Sequence, residues 1–145
     1  MLQMMVQVAR GSRVRKLYDE RILKYRRTQR IARPYPYPYG FIIGTRAEDG
    51  DCVDCYLITK DKVTSGTIVD CEPVGLLLQY EGSEIDHKIL AVLPGQQAAL
   101  GPELLQELQE FIYAIFASHH DMRIGVGPIL PREAALDHLQ NFGSG

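Results

Sequence analysis

Asp49-Gly50-Asp51-Cys52-Val53-Asp54 places three carboxylates within six residues, with a glycine between the first two. Asp and Gly are also the ordinary residues of polar turns, so spacing alone leaves a turn and a cation platform equally open. A hard divalent cation such as Mg2+ takes oxygen ligands in near-octahedral geometry, and clustered Asp side chains supply them. Three unpaired carboxylates would repel one another, so a positive group is expected among them. The apolar Tyr56-Leu57-Ile58 that follows reads as a strand, with the acidic cluster at its mouth.

Working outward, a second cluster joins the first. Val74 to Tyr80 and Ile85 to Val92 both read as strands around the turn Gly82-Ser83-Glu84. Glu81, Asp86 and Lys88 flank that turn. Side chains alternate along a strand, so Asp86 and Lys88 are expected on one face and Ile85, His87 and Ile89 on the other. A carboxylate beside an ammonium suits a metal and phosphate site, although a surface ion pair has the same appearance and contributes little.

Further strands are expected at Met1–Val8, at Phe41–Ile43 and at Gly66–Cys71, just before Pro73. Pro34-Tyr35-Pro36-Tyr37-Pro38-Tyr39 is held extended by its alternating prolines. Val14 to Tyr25 is spaced like one helix face, but the same residues allow two short strands around Asp19-Glu20. Residues 102–117 form the clearest helix: Pro102 opens it, Glu103 sits in its first turn, and Leu104, Leu108, Phe111, Ile112 and Ile115 make a stripe. A short helix is expected over 132–139 and a flexible end over 143–145. Strands first and helices last predict an α+β fold, a closed β-barrel with helices packed outside.

At 145 residues, 46% hydrophobic and 23% charged, the composition is that of one globular domain, read as residues 1–145. No apolar run reaches the ~18 residues of a membrane helix, and no leader is evident, so a cytoplasmic protein is expected. Three cysteines do not make a disulfide framework. Cys52 and Cys55 have the spacing of a zinc or redox pair but lack companions, and buried reduced thiols are the favoured reading. The net charge of −2 hides an asymmetry: ten of the sixteen basic residues fall between Arg10 and Arg33, opposed only by Asp19 and Glu20. Such a stretch can meet nucleic acid, a membrane surface or a phosphorylated molecule. Paired with metal-binding carboxylates, it points to phosphoryl chemistry.

Several of these motifs, in order and spacing, resemble the soluble family I inorganic pyrophosphatases. They are Tyr39-Gly40-Phe41-Ile42, Thr45, the run Glu48 to Asp54, Gly66, Cys71-Glu72-Pro73-Val74-Gly75, Asp86-His87-Lys88 through Val92, and Pro102-Glu103-Leu104-Leu105. Gly11-Ser12-Arg13 resembles the family's early loop. The resemblance implies a five-stranded OB-like β-barrel with flanking C-terminal helices, and strand, turn, strand over 14–25 in place of a helix. It implies hydrolysis of pyrophosphate to two phosphates with Mg2+, or with Mn2+ in its place. Asp49, Asp54 and Asp86 resemble metal ligands, Glu81 stands where the family has an aspartate ligand, and Asp51 resembles the carboxylate that takes the attacking water's proton. Lys88, Arg27 and Tyr39 match phosphate-holding positions. Arg15 stands where the family has a phosphate-binding lysine, exchanging a point charge for a planar fork.

The chain departs from the pattern at Gln7 and Leu17, which replace two glutamates, and at Phe116-Ala117, which replace a Tyr-Lys pair. Two readings follow. One is a hydrolase of pyrophosphate or of another phosphorylated substrate. The other is a non-catalytic binding or interaction protein on the same barrel. The joint presence of Asp49, Asp51, Asp54, Asp86 and Lys88 favours the hydrolase. Nucleic-acid binding through Tyr35, Tyr37 and Arg26 is disfavoured, no membrane partner is expected, and the resemblance implies a homo-oligomer.

Overall fold

A computed structural model describes residues 1–47, 49–119 and 121–142. Glu48, His120 and the expected flexible end at 143–145 lie outside the described residues. In chain order the elements are β1 (Leu2–Val8), β2 (Val14–Asp19), β3 (Lys24–Arg30), β4 (Tyr39–Ile42), β5 (Asp54–Leu57), β6 (Ile68–Glu81), β7 (Glu84–Ile85), β8 (Lys88–Val92), α1 (Pro102–Ile115), β9 (Ile124–Pro131) and α2 (Arg132–Phe142).

Strands β1, β4, β5, β8 and β6 pair in that order, and β6 pairs back onto β1, which closes a five-stranded ring. All the neighbours are antiparallel except β5 and β8. Closure removes the exposed edges that an open sheet would present. This is the α+β barrel expected from the sequence. Residues 14–25 lie in the β2–β3 hairpin, as the resemblance implied, and that hairpin forms a separate two-stranded sheet.

Side-chain parity sorts the strands into two cores. Met4, Val6, Ile42, Cys55, Leu57, Cys71, Leu76, Ile89 and Ala91 come from every ring strand and fill the barrel, with Ala135 and Leu139 of α2 packed against them. The intervening residues, Tyr39, Tyr56, Leu77, Leu90 and Val92, face outward and pack under Leu104, Leu108, Phe111 and Ile112 of α1. Both faces of β5 and β8 are therefore buried, which explains their unbroken apolar runs where a half-exposed strand would alternate. Helix α1 begins with Pro102 at its first position and turns its apolar stripe onto this outer core.

Parity also locates the site. Asp54 precedes Tyr56 by two residues, Lys88 precedes Leu90 by two, and Gln79 and Glu81 continue the series from Leu77. All share the outward face, on the side of the barrel that α1 covers.

Three expectations change in detail. The strands expected before and after Pro73 are one strand, β6; the missing proline N–H falls where the β6–β8 register shifts between Pro73 and Gly75. The strand expected over 85–92 is broken at Asp86 and His87, leaving two-residue β7 and then β8. The main helix stops at Ile115 and the last helix runs to Phe142. Strand β9, which pairs with β6 outside the ring, was not anticipated. Its sequence, with Gly125, Gly127 and Pro128, lacks the usual strand composition.

Candidate active site

Lys88 is the centre of the acidic cluster. Its Nζ lies 2.8 Å from Asp54 Oδ2, 2.8 Å from Asp86 Oδ2 and 3.1 Å from the Tyr39 hydroxyl. Only 4% of Lys88 is exposed. Burial disfavours its charge, yet Asp54, Tyr39 and Asp86 outweigh burial and raise its pKa well above the usual lysine value. Of the three carboxylates between Asp49 and Asp54, Lys88 meets Asp54; its other carboxylate partner is Asp86. The lysine is buried and its two carboxylate partners are half-buried, so this is not the surface ion pair that the sequence left open.

A second cation enters from the hairpin. Arg15 of β2 donates from its Nη2 to Gln7 Oε1 at 3.2 Å and stands 5.3 Å from the centre of the Tyr39 ring. Lys88 Nζ is 5.6 Å from the centre of the same ring and meets it at the hydroxyl, so Tyr39 lies between the two cations. Gln7 is available because β1 carries an extra residue there: Val6 pairs with Gly40 and Val8 with Tyr39. Tyr35 packs between Tyr39 and Phe111, at 5.1 and 4.5 Å between ring centres, and fixes the floor.

On the other side, Glu81 and Asp86 share a hydrogen bond. Burial, that bond and the Asp86 charge push Glu81 up to about 7. Burial also opposes ionisation of Asp86, but Lys88 and the bond from Glu81 hold it below the usual range. The two carboxyls therefore titrate as a pair, the one beside Lys88 losing its proton first. Asp51 is raised by burial and by the charges of Asp49 and Asp54, with Arg15 opposing. Asp49 Oδ1 accepts a hydrogen bond from the Asp51 backbone N–H at 3.0 Å, which shapes the exposed turn.

These groups surround a cavity of about 190 Å3, lined by Arg15, Tyr39, Asp54, Glu81, Asp86 and Lys88, and closed by Ile112, Ile115 and Phe116 of α1 and its end. Asp51 lines a neighbouring, more open cavity of about 600 Å3 with Glu20, Arg21, Arg26 and Arg46. Arg27 pairs across from Leu17 on the hairpin face that bears Arg15, but it is exposed and outside the cavity lining. The structure thus brings together Arg15, Tyr39, Asp54, Glu81, Asp86 and Lys88, sets Asp51 in the neighbouring cavity with Asp49 on the exposed turn beside it, and leaves Arg27 outside.

Sequence reasoning missed Gln79, which is 2% exposed, lines the cavity and donates from Nε2 to Glu81 at 3.2 Å. Its position two residues before Glu81 in one strand was the available signal. It also missed Glu20, whose Oε1 accepts the Cys52 backbone N–H at 2.7 Å and ties the hairpin to the acidic loop. Cys55 and Cys71 are buried and in contact with each other in the barrel, and Cys52 is half-buried on the loop; all three are free thiols.

Among the described residues no three acidic, histidine or cysteine side chains stand close enough to cage a cation. Lys88 fills the gap between Asp54 and Asp86. The donor chemistry nevertheless fits a hard divalent cation. Every candidate ligand is a carboxylate oxygen, the donor type that such a cation takes.

The sequence profile of the family described as inorganic pyrophosphatase matches residues 4–120. An inorganic pyrophosphatase of Nanoarchaeum equitans is 38% identical over 87 residues, 60% of this chain and 54% of that protein. One of Sulfolobus acidocaldarius is 34% identical over 93 residues, 63% of this chain and 54% of the relative. The chain therefore spans about half the length of these two relatives. The crystal structure of inorganic pyrophosphatase from Thermus thermophilus superposes with a TM-score of 0.82 at 28% identity, covering 95% of this chain and 86% of that one. The profile covers most of the chain and the barrel superposes on a solved member: the chain belongs to the soluble family I inorganic pyrophosphatases.

Proposed function

We propose that this chain hydrolyses inorganic pyrophosphate to two phosphates with Mg2+, Mn2+ being an acceptable substitute. One observation carries the reading: a buried lysine held between two carboxylates and a tyrosine, beside a second cation, facing a small cavity. Lys88, Arg15 and Tyr39 hold phosphate oxygens, and Arg27 reaches an outer oxygen from the hairpin. Asp49, Asp54, Glu81 and Asp86 would hold the cation, with Glu81 releasing its proton as it does so. Bound Mg2+ supplies Lewis-acid stabilisation of phosphoryl charge and a more acidic water. Asp51 accepts the proton of the attacking water; the new bond joins that oxygen to phosphorus, and the bridging P–O bond breaks with its electron pair on the leaving phosphate.

A second reading, a non-catalytic phosphate-binding relative, is favoured by one feature: Lys88 already engages two of the expected metal ligands. Phosphate release from pyrophosphate, with Asp51→Asn as control, separates the two. Release that the variant loses supports hydrolysis; equal release, or none, supports the binder. Asp51 is exposed, so Asp51→Asn is expected to fold normally and to shift stability by no more than ~0.5 kcal/mol. Read with the family resemblance, residues 1–145 act as one domain, assemble with copies of themselves and work in the cytoplasm. Among the described residues no helix is long and apolar enough to cross a membrane.

A further inference from the structure

The cavity around Lys88 has two unlike walls. One presents Arg15, Lys88, Tyr39 and the carboxylates. The other is the end of α1, where Ile112, Ile115 and Phe116 face the same space and the last turn carries no basic residue. A highly charged group pressed on that second wall would lose water and gain no donor, which is costly. Apolar atoms placed there would instead be stabilised by leaving water. At about 190 Å3 the space is smaller than the ~300 Å3 at which drug-sized pockets begin, so it suits a phosphoryl group carrying a few further heavy atoms. Arg15 and Gln79 both line the cavity, and each also has a buried side-chain atom without a partner, Arg15 Nε and Gln79 Oε1. The cavity is thus built for a ligand that is anionic at one end and small and apolar at the other.

We propose that this cavity takes acyl phosphates, the mixed anhydrides of phosphate with small carboxylic acids, as a second substrate class; the proposal rests on the hydrolytic reading above. The phosphoryl end lies on Arg15 and Lys88, and the acyl chain lies on Ile115 and Phe116. The water oxygen bonds to phosphorus, the anhydride P–O bond breaks, its electron pair leaves on the carboxylate, and the water's proton passes to Asp51. The products are orthophosphate and the free carboxylate. A carboxylate, with a conjugate acid of pKa about 4, departs without a cation beside it, which is what an apolar wall requires. An alkoxide is a far stronger base, so phosphate monoesters are not substrates.

The test compares acetyl phosphate, pyrophosphate and glycerol phosphate with the whole chain and Mg2+, in 18O-labelled water, for the native protein and for Phe116→Lys and Ile115→Lys. Circular dichroism checks that each variant is folded. Binding of acetonylphosphonate, a non-hydrolysable acyl phosphate analogue, is followed by calorimetry. The expected result is hydrolysis of acetyl phosphate with label entering orthophosphate, and no turnover of glycerol phosphate. Each lysine variant should lower the acetyl phosphate to pyrophosphate ratio of kcat/KM about tenfold or more, since a charged donor would now favour the second phosphate. Each should also weaken acetonylphosphonate binding. Turnover of pyrophosphate without acetyl phosphate, or an unchanged ratio in both folded variants, overturns this inference and leaves the pyrophosphatase reading standing. Turnover of neither substrate overturns both.

Discussion

Lys88 and Asp54 are 34 residues apart in the chain, yet Lys88 Nζ lies 2.8 Å from Asp54 Oδ2. Parallel pairing of β5 with β8, which sets Cys55 opposite Ile89, brings the two strand starts side by side. Both residues take the outward face of the barrel, where α1 shields them from water. Burial then makes the contact matter, because a poorly solvated charge must find a partner.

Replacing Lys88 with methionine keeps most of the side-chain volume and removes the charge. Asp54 and Asp86 would be left facing each other with little water. We expect a loss of about 3 kcal/mol in stability, read from the urea midpoint, together with loss of any phosphate release. Asp54→Asn combined with Lys88→Met should recover part of that stability. A double variant no more stable than the single would show that the ion pair is not the cause.

The elevated Glu81 predicts a pH dependence of the metal-free protein. Its folded value is raised to about 7 from the ordinary 4.5. Between those values the folded state binds more protons than the unfolded one, so stability falls as pH rises through this window. The contribution is fully present below about 4.5 and is lost above about 7. The stability difference between the native protein and Glu81→Gln should therefore vary with pH across that interval. Parallel stability curves for the two proteins would contradict the assignment. Affinity for Mg2+, measured by calorimetry, should rise as pH passes 7, because cation and proton compete for Glu81.

Glu20 holds the hairpin to the acidic loop through the Cys52 N–H. Glu20→Ala leaves that N–H without its partner and should cost about 1–3 kcal/mol in stability. The stronger signature is local: amide exchange at Asp51 and Cys52 should speed up by more than it does in β8. Uniform acceleration in both places would mean a global effect rather than a tether.

Gly40 tests closure of the barrel. A Cβ there would stand 1.8 Å from the Met5 carbonyl oxygen, which is backbone and cannot rotate away. Gly40→Ala should destabilise by roughly 3 kcal/mol or more, or leave the protein unfolded at 37 °C. Gly101→Ala, where a Cβ would meet nothing within 4 Å, is the control and should behave nearly as the native protein does.

Much of the fold was legible in local pattern. The apolar runs of β1, β5 and β8, and the stripe from Leu104 to Ile115, reflect burial that the residues themselves require. The hairpin was not legible in this way. Val14, Leu17, Tyr18, Ile22 and Tyr25 have helical spacing, and only the resemblance selected two strands. The reason is physical: β3 is exposed throughout, so no buried face imposes a period of two on it. Strand β9 escaped for a related cause, since it is recruited by the edge of β6 and has little propensity of its own.

By itself the sequence determined the chemical inventory and the family: the carboxylates from Asp49 to Asp54, the Asp86-His87-Lys88 strand entry, and the order of strands before helices. The tertiary structure decided which of those groups meet. It set Lys88 between Asp54 and Asp86, brought Arg15, Gln79 and the end of α1 into one cavity, and left Arg27 outside the lining. Alternation along a strand fixes the face on which a side chain lies. Its neighbours on that face depend on the register of strands far apart in sequence, which forms only when the barrel closes and α1 covers it.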